Sequence, residues 1–88
     1  MKTFSFTAAS PDGNVFKGDA ARVIVRGTEG DLAVLVGHIP FVTGEKPGVC
    51  RILLPDGTEK KGRTEGGNLT VDTESATLLS GSFKLDEE

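Results

Sequence analysis

The 88-residue chain lacks tryptophan and tyrosine and contains one histidine, one cysteine and five phenylalanines. Because one cysteine cannot form an internal disulfide, a reducing, intracellular setting is favoured over secretion. One histidine and one cysteine are also too few for a structural zinc site, which needs four ligands. Few aromatic rings and a net charge of −3 argue against nucleic acid as the main partner, since base stacking and phosphate contacts need aromatic and basic side chains.

Long apolar runs are missing as well. The longest, residues 32–36, is far too short to span a bilayer, and the N-terminal MKTFSFTAASPDG lacks the apolar stretch of a signal peptide. Any membrane association is therefore expected to come through a partner. We predict one domain over residues 1–85, followed by an acidic tail over residues 86–88.

Short β-branched segments separated by glycine and proline make up the chain instead. Phe4, Phe6 and Ala8 alternate with polar residues, as in a half-buried strand. Cys50, Ile52 and Leu54 share one face of another segment in the same way. No window of a dozen residues sustains a helical apolar period. The pattern predicts an all-β sandwich or flattened barrel.

Three segments carry more detailed predictions. Residues 14–26 are expected to form one extended run, bent near Gly18. Residues 32–36 are apolar on both faces, which predicts a central strand covered on both sides. Residues 58–63 are polar on both faces and follow a Pro55-Asp56-Gly57 turn, so we expect an exposed edge strand protected by its lysines.

Catalytic chemistry has little support in the sequence. His38 and Cys50 could form a base and a nucleophile if they met in space, but nothing in the sequence orients them. A buried, inert thiol and a hydrogen-bonding loop histidine are the favoured interpretations. The carboxylates show no calcium-loop spacing, and residues 44–48 indicate a turn rather than a phosphate-binding loop. We therefore predict a non-catalytic protein with no cofactor and no metal.

Two surface features point to protein binding. The loop over residues 37–42 is mostly apolar, and it fits either a part of the core or a contact patch for a partner. Glu29 and Asp31 flank Gly30 in a tight turn. That turn is either a solvated tip or a small acidic projection suited to a basic partner loop.

Several of these residues together resemble the signature of the epsilon subunit of F-type ATP synthases. The resemblance rests on GTEGDL at residues 27–32, GHIP at 37–40, Thr43 and KPG at 46–48. Further similarity lies in VFKG at residues 15–18 and GGNLTV at 66–71. The order and spacing of these motifs run from the first predicted strand to about Leu85.

The resemblance implies a flattened β-sandwich of about ten short, mostly antiparallel strands. It also implies a place at the foot of the rotating central stalk, against the gamma subunit and the membrane c-ring, where the subunit links ion translocation to ATP synthesis. Carried over, the c-ring contact falls on Glu29, Gly30 and Asp31. The gamma contact falls on His38, Ile39, Pro40, Phe41, Val42 and Thr43. The implied location is the cytoplasmic face of the cell membrane, reached through the complex.

The sequence departs from the family pattern at Ala33, where glycine is frequent, and at Val36, where proline is common. It also stops at Glu88, where the family usually continues into a C-terminal helical hairpin that regulates ATP hydrolysis. Regulatory and nucleotide-binding roles are therefore not expected of this chain. Two alternatives remain open: a free-standing β-sandwich module that binds protein or sugar, and an enzyme using His38 and Cys50.

Overall fold

The computed structural model describes residues 2–11, 13–28, 30–37 and 40–85, and every regular element among them is a β-strand. The ten strands, in chain order, are β1 Phe4–Ser10, β2 Gly13–Ala20, β3 Arg22–Gly27, β4 Gly30–Leu35, β5 Phe41–Glu45, β6 Gly48–Leu53, β7 Glu59–Thr64, β8 Gly67–Val71, β9 Ser75–Ser80 and β10 Phe83–Leu85. The all-β prediction is confirmed. The predicted tail, residues 86–88, and its boundary lie outside the described residues.

One continuous sheet folds over into two layers. Strands β10, β7, β6, β3 and β4 form the first layer, and β5, β8, β9, β1 and β2 form the second. A single bridge, Gly27 to Glu45, joins β3 to β5 and so connects the layers. Strands β1 and β9 pair in parallel, whereas the other pairs are antiparallel. This is the flattened sandwich that the sequence predicts.

The core lies between the layers and is built from alternate residues of each strand. Phe4, Phe6 and Ala8 are buried as predicted, and so are Cys50 and Ile52 from the opposite layer. The ring of Phe6 lies 5.9 Å from that of Phe16, centroid to centroid. Burying apolar surface at about 25 cal/mol per Å² is the main stabilising contribution in a domain this small.

The bend expected near Gly18 lies three residues later. Gly18 stays in register opposite Phe6, so β2 continues without interruption to Ala20. The chain then leaves the second layer at Ala21, whose N–H donates to the carbonyl oxygen of Leu53 in the first layer at 2.7 Å. At the change of layer the backbone of Ala21 takes a hydrogen-bond partner from the first layer. No adjacent glycine in the sequence marks this position.

The central position predicted for residues 32–36 is wrong. Among the described residues strand β4 pairs with β3 alone, so it lies at the edge of the first layer. Val34 is its one buried side chain, whereas Leu35 is 51% exposed and Val36 is 40% exposed. An apolar run on both faces thus indicated burial on both sides, although only one side faces the core.

The edge position predicted for residues 58–63 is wrong from Gly62 onward, since β10 pairs with residues 62–64, whereas residues 59–61 pair with β6 alone among the described residues. Strand β7 pairs with β6 on one side and with β10 on the other, and Gly62 in its middle is buried. A Cβ at Gly62 would lie 2.5 Å from Cζ of Phe83, so only glycine lets that ring cover the strand. The polar side chains of β7 indicated solvent on the outer face, not a missing neighbour strand.

Candidate protein-binding surfaces

The β3–β4 hairpin ends in a tight turn between Gly27 and Gly30, which face each other across the ladder. Gly30 has a φ of 124°, a conformation that side-chain-bearing residues rarely adopt, so glycine is needed there. Both Gly30 and Asp31 are exposed. We call residues 27–31 the hairpin tip. Of the predicted c-ring residues, Glu29 lies outside the described residues.

The hairpin tip is less purely acidic than the sequence suggests. Nε of Arg26 lies 3.9 Å from Oδ1 of Asp31, and both side chains are mostly exposed. A pair at that distance and exposure contributes little to stability, because water and salt screen it. The tip therefore offers a carboxylate and a guanidinium side by side to any partner that approaches.

The predicted gamma contact, residues 38–43, divides into inward and outward positions. His38 and Ile39 lie outside the described residues, and Pro40 is exposed. From Phe41 onward the segment is strand β5. The Phe41 side chain is half-buried against the core, whereas Val42 is 70% exposed. Thr43 is half-buried, and its hydroxyl donates to the carbonyl oxygen of Gly44 at 3.3 Å.

Val42 belongs to a surface whose outward residues on β5, β8, β9 and β1 carry no charge, although the neighbouring β2 presents Lys17 opposite Thr7 and Asp19 opposite Ser5. The ladder places it opposite Thr70, Thr70 opposite Thr77, and Thr77 opposite Thr7. Leu79, which is 55% exposed, lies on the same side of the second layer, opposite Asn68. We call this surface the uncharged face; its outward residues include Val42, Asn68, Thr70, Thr77, Leu79 and Thr7. A hydroxyl-rich surface with exposed aliphatic residues is well suited to a protein interface.

Residues 44–48 are not simply a turn. Gly44 and Glu45 complete β5, Gly48 begins β6, and only Lys46 and Pro47 connect the two strands. The N–H of Lys46 donates to the carbonyl oxygen of Arg26 at 2.8 Å. The connection therefore fastens the start of β6 to the end of β3.

Glu45 is buried, which the sequence analysis missed. Its side chain is 6% exposed, and Oε2 accepts a hydrogen bond from Thr64 Oγ1 at 2.9 Å. Its other oxygen, Oε1, is buried without a hydrogen-bond partner among the described residues. Burial raises the pKa of this carboxyl, and the bond from Thr64 lowers it by less. The inward alternation of Phe41, Thr43 and Glu45 along β5 is the sequence signal that could have revealed it.

Cys50 is an inert thiol, as predicted. It is fully buried in β6, and burial, with a smaller effect from the nearby Glu45 carboxylate, raises the pKa of the thiol to about 12. Because the thiolate is the reactive form, a thiol with that pKa is a poor nucleophile at neutral pH. Its predicted partner in an enzyme, His38, lies outside the described residues.

The described part of the chain offers no metal site, since no three of its His, Cys, Asp and Glu side chains cluster closely enough to hold an ion. Within the same residues, no helix has the length and apolar character needed to cross a bilayer.

A shallow cleft at the end of the first layer is lined by Pro47, Gly48, Val49, Arg63, Thr64 and Glu65.

The fold and its exposed surfaces define a small β-sandwich domain. Residues 3–85 match the family described as the ATP synthase delta/epsilon chain, beta-sandwich domain, and the chain belongs to that family. It is 36% identical over 91 residues to the ATP synthase epsilon chain of Psychrobacter cryohalolentis, an alignment that covers 99% of this chain and 66% of that protein. The chain thus spans slightly less than two thirds of this curated relative.

Two solved structures have a similar fold. One is a chain in the cryo-EM structure of the Euglena gracilis mitochondrial ATP synthase containing OSCP, F1 and the c-ring. It has a TM-score of 0.89 and 21% identity over 94% of this chain and 53% of that one. The other is a chain in the central stalk and c-ring structure of the Tetrahymena thermophila mitochondrial ATP synthase. It has a TM-score of 0.75 and 12% identity over 93% of this chain and 66% of that one. At these identities the likeness shows the fold alone.

Proposed function

We propose that this chain is the β-sandwich domain of a central-stalk subunit of an F-type ATP synthase. In that role it links the gamma subunit to the membrane c-ring and helps couple ion translocation to ATP synthesis. The observation that carries the proposal is the family match over residues 3–85, with an ATP synthase epsilon chain as a relative over nearly the whole chain. The domain acts by binding, and the buried Cys50 thiol supplies no reactive group.

The gamma contact is proposed for residues 38–43 and the adjoining uncharged face. Val42 supports this because it is the most exposed large aliphatic side chain among the described residues. The threonine row beside it adds hydroxyl groups that can donate or accept hydrogen bonds without the cost of desolvating a charge. Phe41 supports this surface from its inner side, where its side chain packs against the core.

The c-ring contact is proposed for Glu29, Gly30 and Asp31 at the hairpin tip. The tip lies at the end of an edge hairpin, and its exposed Asp31 carboxylate can meet basic groups on polar loops of a ring. The adjoining Arg26 guanidinium can take a carboxylate from the same loops. We propose that these two contacts hold the domain at the cytoplasmic face of the cell membrane through its partners, without a cofactor of its own.

Co-isolation tests the proposal. An affinity-tagged chain is expressed together with the other subunits of its own synthase, and the complex is recovered from detergent-solubilised membranes. Recovery of gamma and the c-ring in stoichiometric amounts is the expected result. Recovery of a free domain, with gamma and the c-ring in an assembly that excludes it, would contradict the proposal. A tagged β-sandwich domain from an unrelated protein provides the background level.

A further inference from the structure

The outer side of the first layer is a second exposed surface, distinct from the uncharged face. Inward and outward residues alternate along β6, so Cys50 and Ile52 enter the core while Arg51 faces solvent. The register then places Ile24 of β3, Arg51 and Lys61 of β7 in one row across the layer. The same alternation fixes the outward residues of the other strands.

The outward residues of this layer are strongly basic. Six of the ten lysines and arginines lie there: Arg22, Arg26, Arg51, Lys61, Arg63 and Lys84. Among the described outward residues of these strands two are acidic, Asp31 and Glu59, which leaves those residues with a net charge of +4. The whole chain has a net charge of −3, so this concentration of positive charge is opposite in sign to the rest of the molecule. We call this surface the basic face.

Aliphatic side chains separate the basic ones. Val49 is 42% exposed and lies opposite Arg63, and the half-buried Leu53 lies opposite Arg22. Leu35, at the edge strand, lies on the other side of Arg22. Arginine and aliphatic residues are thus interleaved across a flat sheet, whereas the phenylalanine side chains of the domain are all buried or half-buried in the core.

The internal ion pairs of the basic face leave most of its charge uncompensated. Nη1 of Arg51 lies 3.9 Å from Oε1 of Glu59, and Arg26 pairs with Asp31 at the same distance. Both pairs are loose and solvent-exposed. Each guanidinium therefore keeps donors that can bind a second carboxylate, because arginine presents five N–H groups in a planar fork.

From this arrangement we propose that the basic face docks a protein surface that carries carboxylates and aliphatic side chains. Four arginines suit bidentate carboxylate binding, and the aliphatic residues between them suit the apolar part of a protein interface. A single-stranded nucleic acid would need exposed aromatic rings for stacking, and this face has none among its described residues. This docking surface is separate from the uncharged face. It overlaps the proposed c-ring contact at Arg26 and Asp31, whereas Arg22, Arg51 and Arg63 lie outside that contact.

A designed peptide helix of about 20 residues provides the probe, since it spans about 30 Å. That length matches the 30 Å dimension of the domain. The peptide carries glutamate and leucine on one side, and a matched peptide replaces every glutamate by glutamine. Isothermal titration gives the affinity of the full chain for each. Chemical-shift changes of the ¹⁵N-labelled chain locate the site residue by residue.

We expect binding of the glutamate peptide, shift changes concentrated at Arg51, Lys61 and Arg63, and about tenfold weaker binding of the glutamine peptide. About 1 M salt, where the Debye length is about 3 Å, is expected to abolish most of the difference between the peptides. Equal binding of the two peptides, or shift changes concentrated on the second layer, would overturn the proposal.

Charge-reversal variants distinguish binding at the basic face from a general effect of net charge. R51E/R63E is expected to weaken binding of the glutamate peptide at least about tenfold, which is about 1.4 kcal/mol. As a control, K17E on the second layer is compared with R51E alone, which makes the same change in net charge, and K17E is expected to weaken binding less than about threefold. If thermal melting shows that the reversal unfolds the domain, R51Q/R63Q replaces it, with an expected loss of about threefold. Equal losses in face and control variants would overturn the proposal.

Alternative ligands complete the test. Vesicles of phosphatidylglycerol and duplex DNA are titrated under the same conditions as the peptide. Weaker binding of both, with no concentration of shift changes on the basic face, is the expected result. Binding of either one more tightly than the glutamate peptide would overturn the assignment to a protein partner.

Discussion

Thr64 and Glu45 join the two layers of the sandwich through one side-chain hydrogen bond. Thr64 Oγ1 on β7 donates to Glu45 Oε2 on β5 at 2.9 Å, close to the backbone bridge where β3 meets β5. Oε1 of Glu45 is buried without a hydrogen-bond partner among the described residues. Burial of a carboxyl with one unpaired oxygen disfavours its charged form and so raises the pKa of Glu45.

This arrangement predicts a domain that loses stability as the pH rises. Burial raises the folded-state pKa of Glu45 above its ordinary value of 4.5, so the folded state holds the proton more tightly than the unfolded state. The free energy of unfolding should therefore fall from about pH 4.5 upward through the folded pKa and then level off. E45Q should remove this decline, because an amide carries no charge to be buried at neutral pH, although it keeps a polar group at the unpaired position.

Urea unfolding across a pH series measures the effect. The exposed Glu65 provides the matched control, because E65Q removes a carboxylate near the same end of the sandwich without changing the core. T64V should steepen the pH dependence, since it removes the hydrogen bond that lowers the Glu45 pKa. Parallel stability curves for wild type and E45Q would show that Glu45 titrates alike in both states, contrary to this account.

Gly62 should be intolerant of any side chain. A Cβ at this position would lie 2.5 Å from the Phe83 ring, so G62A must push that ring out of place. Overpacking of this kind costs about 1–3 kcal/mol, and chemical denaturation should register it. G57A is an informative comparison: its turn position has a φ of 92° and open space around it, so any loss there comes from backbone strain alone. The double variant G62A/F83A should relieve part of this packing conflict and so regain some of the stability expected to be lost. No such gain relative to the sum of the single changes would contradict the explanation.

The sequence predicted the strands well and their neighbours poorly. Alternation along a strand reports which side chains face the core, and for that reason Phe6, Ala8 and Ile52 are buried as their patterns indicate. It does not report whether another strand lies alongside. The apolar β4 proved to be an edge strand, and the polar β7 an inner one over residues 62–64, because backbone pairing is independent of outer-face polarity.

The candidate binding surfaces show the same difference between local features, which the sequence predicts, and strand pairing, which it does not. The motif over residues 27–32 predicted a glycine-dependent turn, and the φ of Gly30 confirms it, since that requirement is local. The buried Glu45 was missed because glycines and a proline around it indicated a loop. The pairing of β5 with β8 shows that the strand continues through that position.

The hairpin tip should matter more for coupling than for folding. Reversing Glu29 and Asp31 together to lysine changes the charge that the tip presents to the c-ring, whereas Asp31 makes only a loose, exposed ion pair within the domain. We expect stability to change by less than about 0.5 kcal/mol. ATP-driven proton pumping in reconstituted vesicles should fall relative to ATP hydrolysis. D72K/E74K reverses two exposed carboxylates in another turn and should leave coupling intact. Unchanged coupling in the tip variant would refute the c-ring assignment.

The central claim is that the second layer binds gamma, and Val42 provides its most direct test. V42D places a charge on the uncharged face with the core untouched, whereas a change at Phe41 would also disturb packing. V49D places the same charge on the basic face and serves as the control. Affinity for purified gamma, measured by titration calorimetry, should fall at least about tenfold for V42D and stay within about threefold of wild type for V49D. Wild-type affinity for V42D, with the domain folded, would contradict the account.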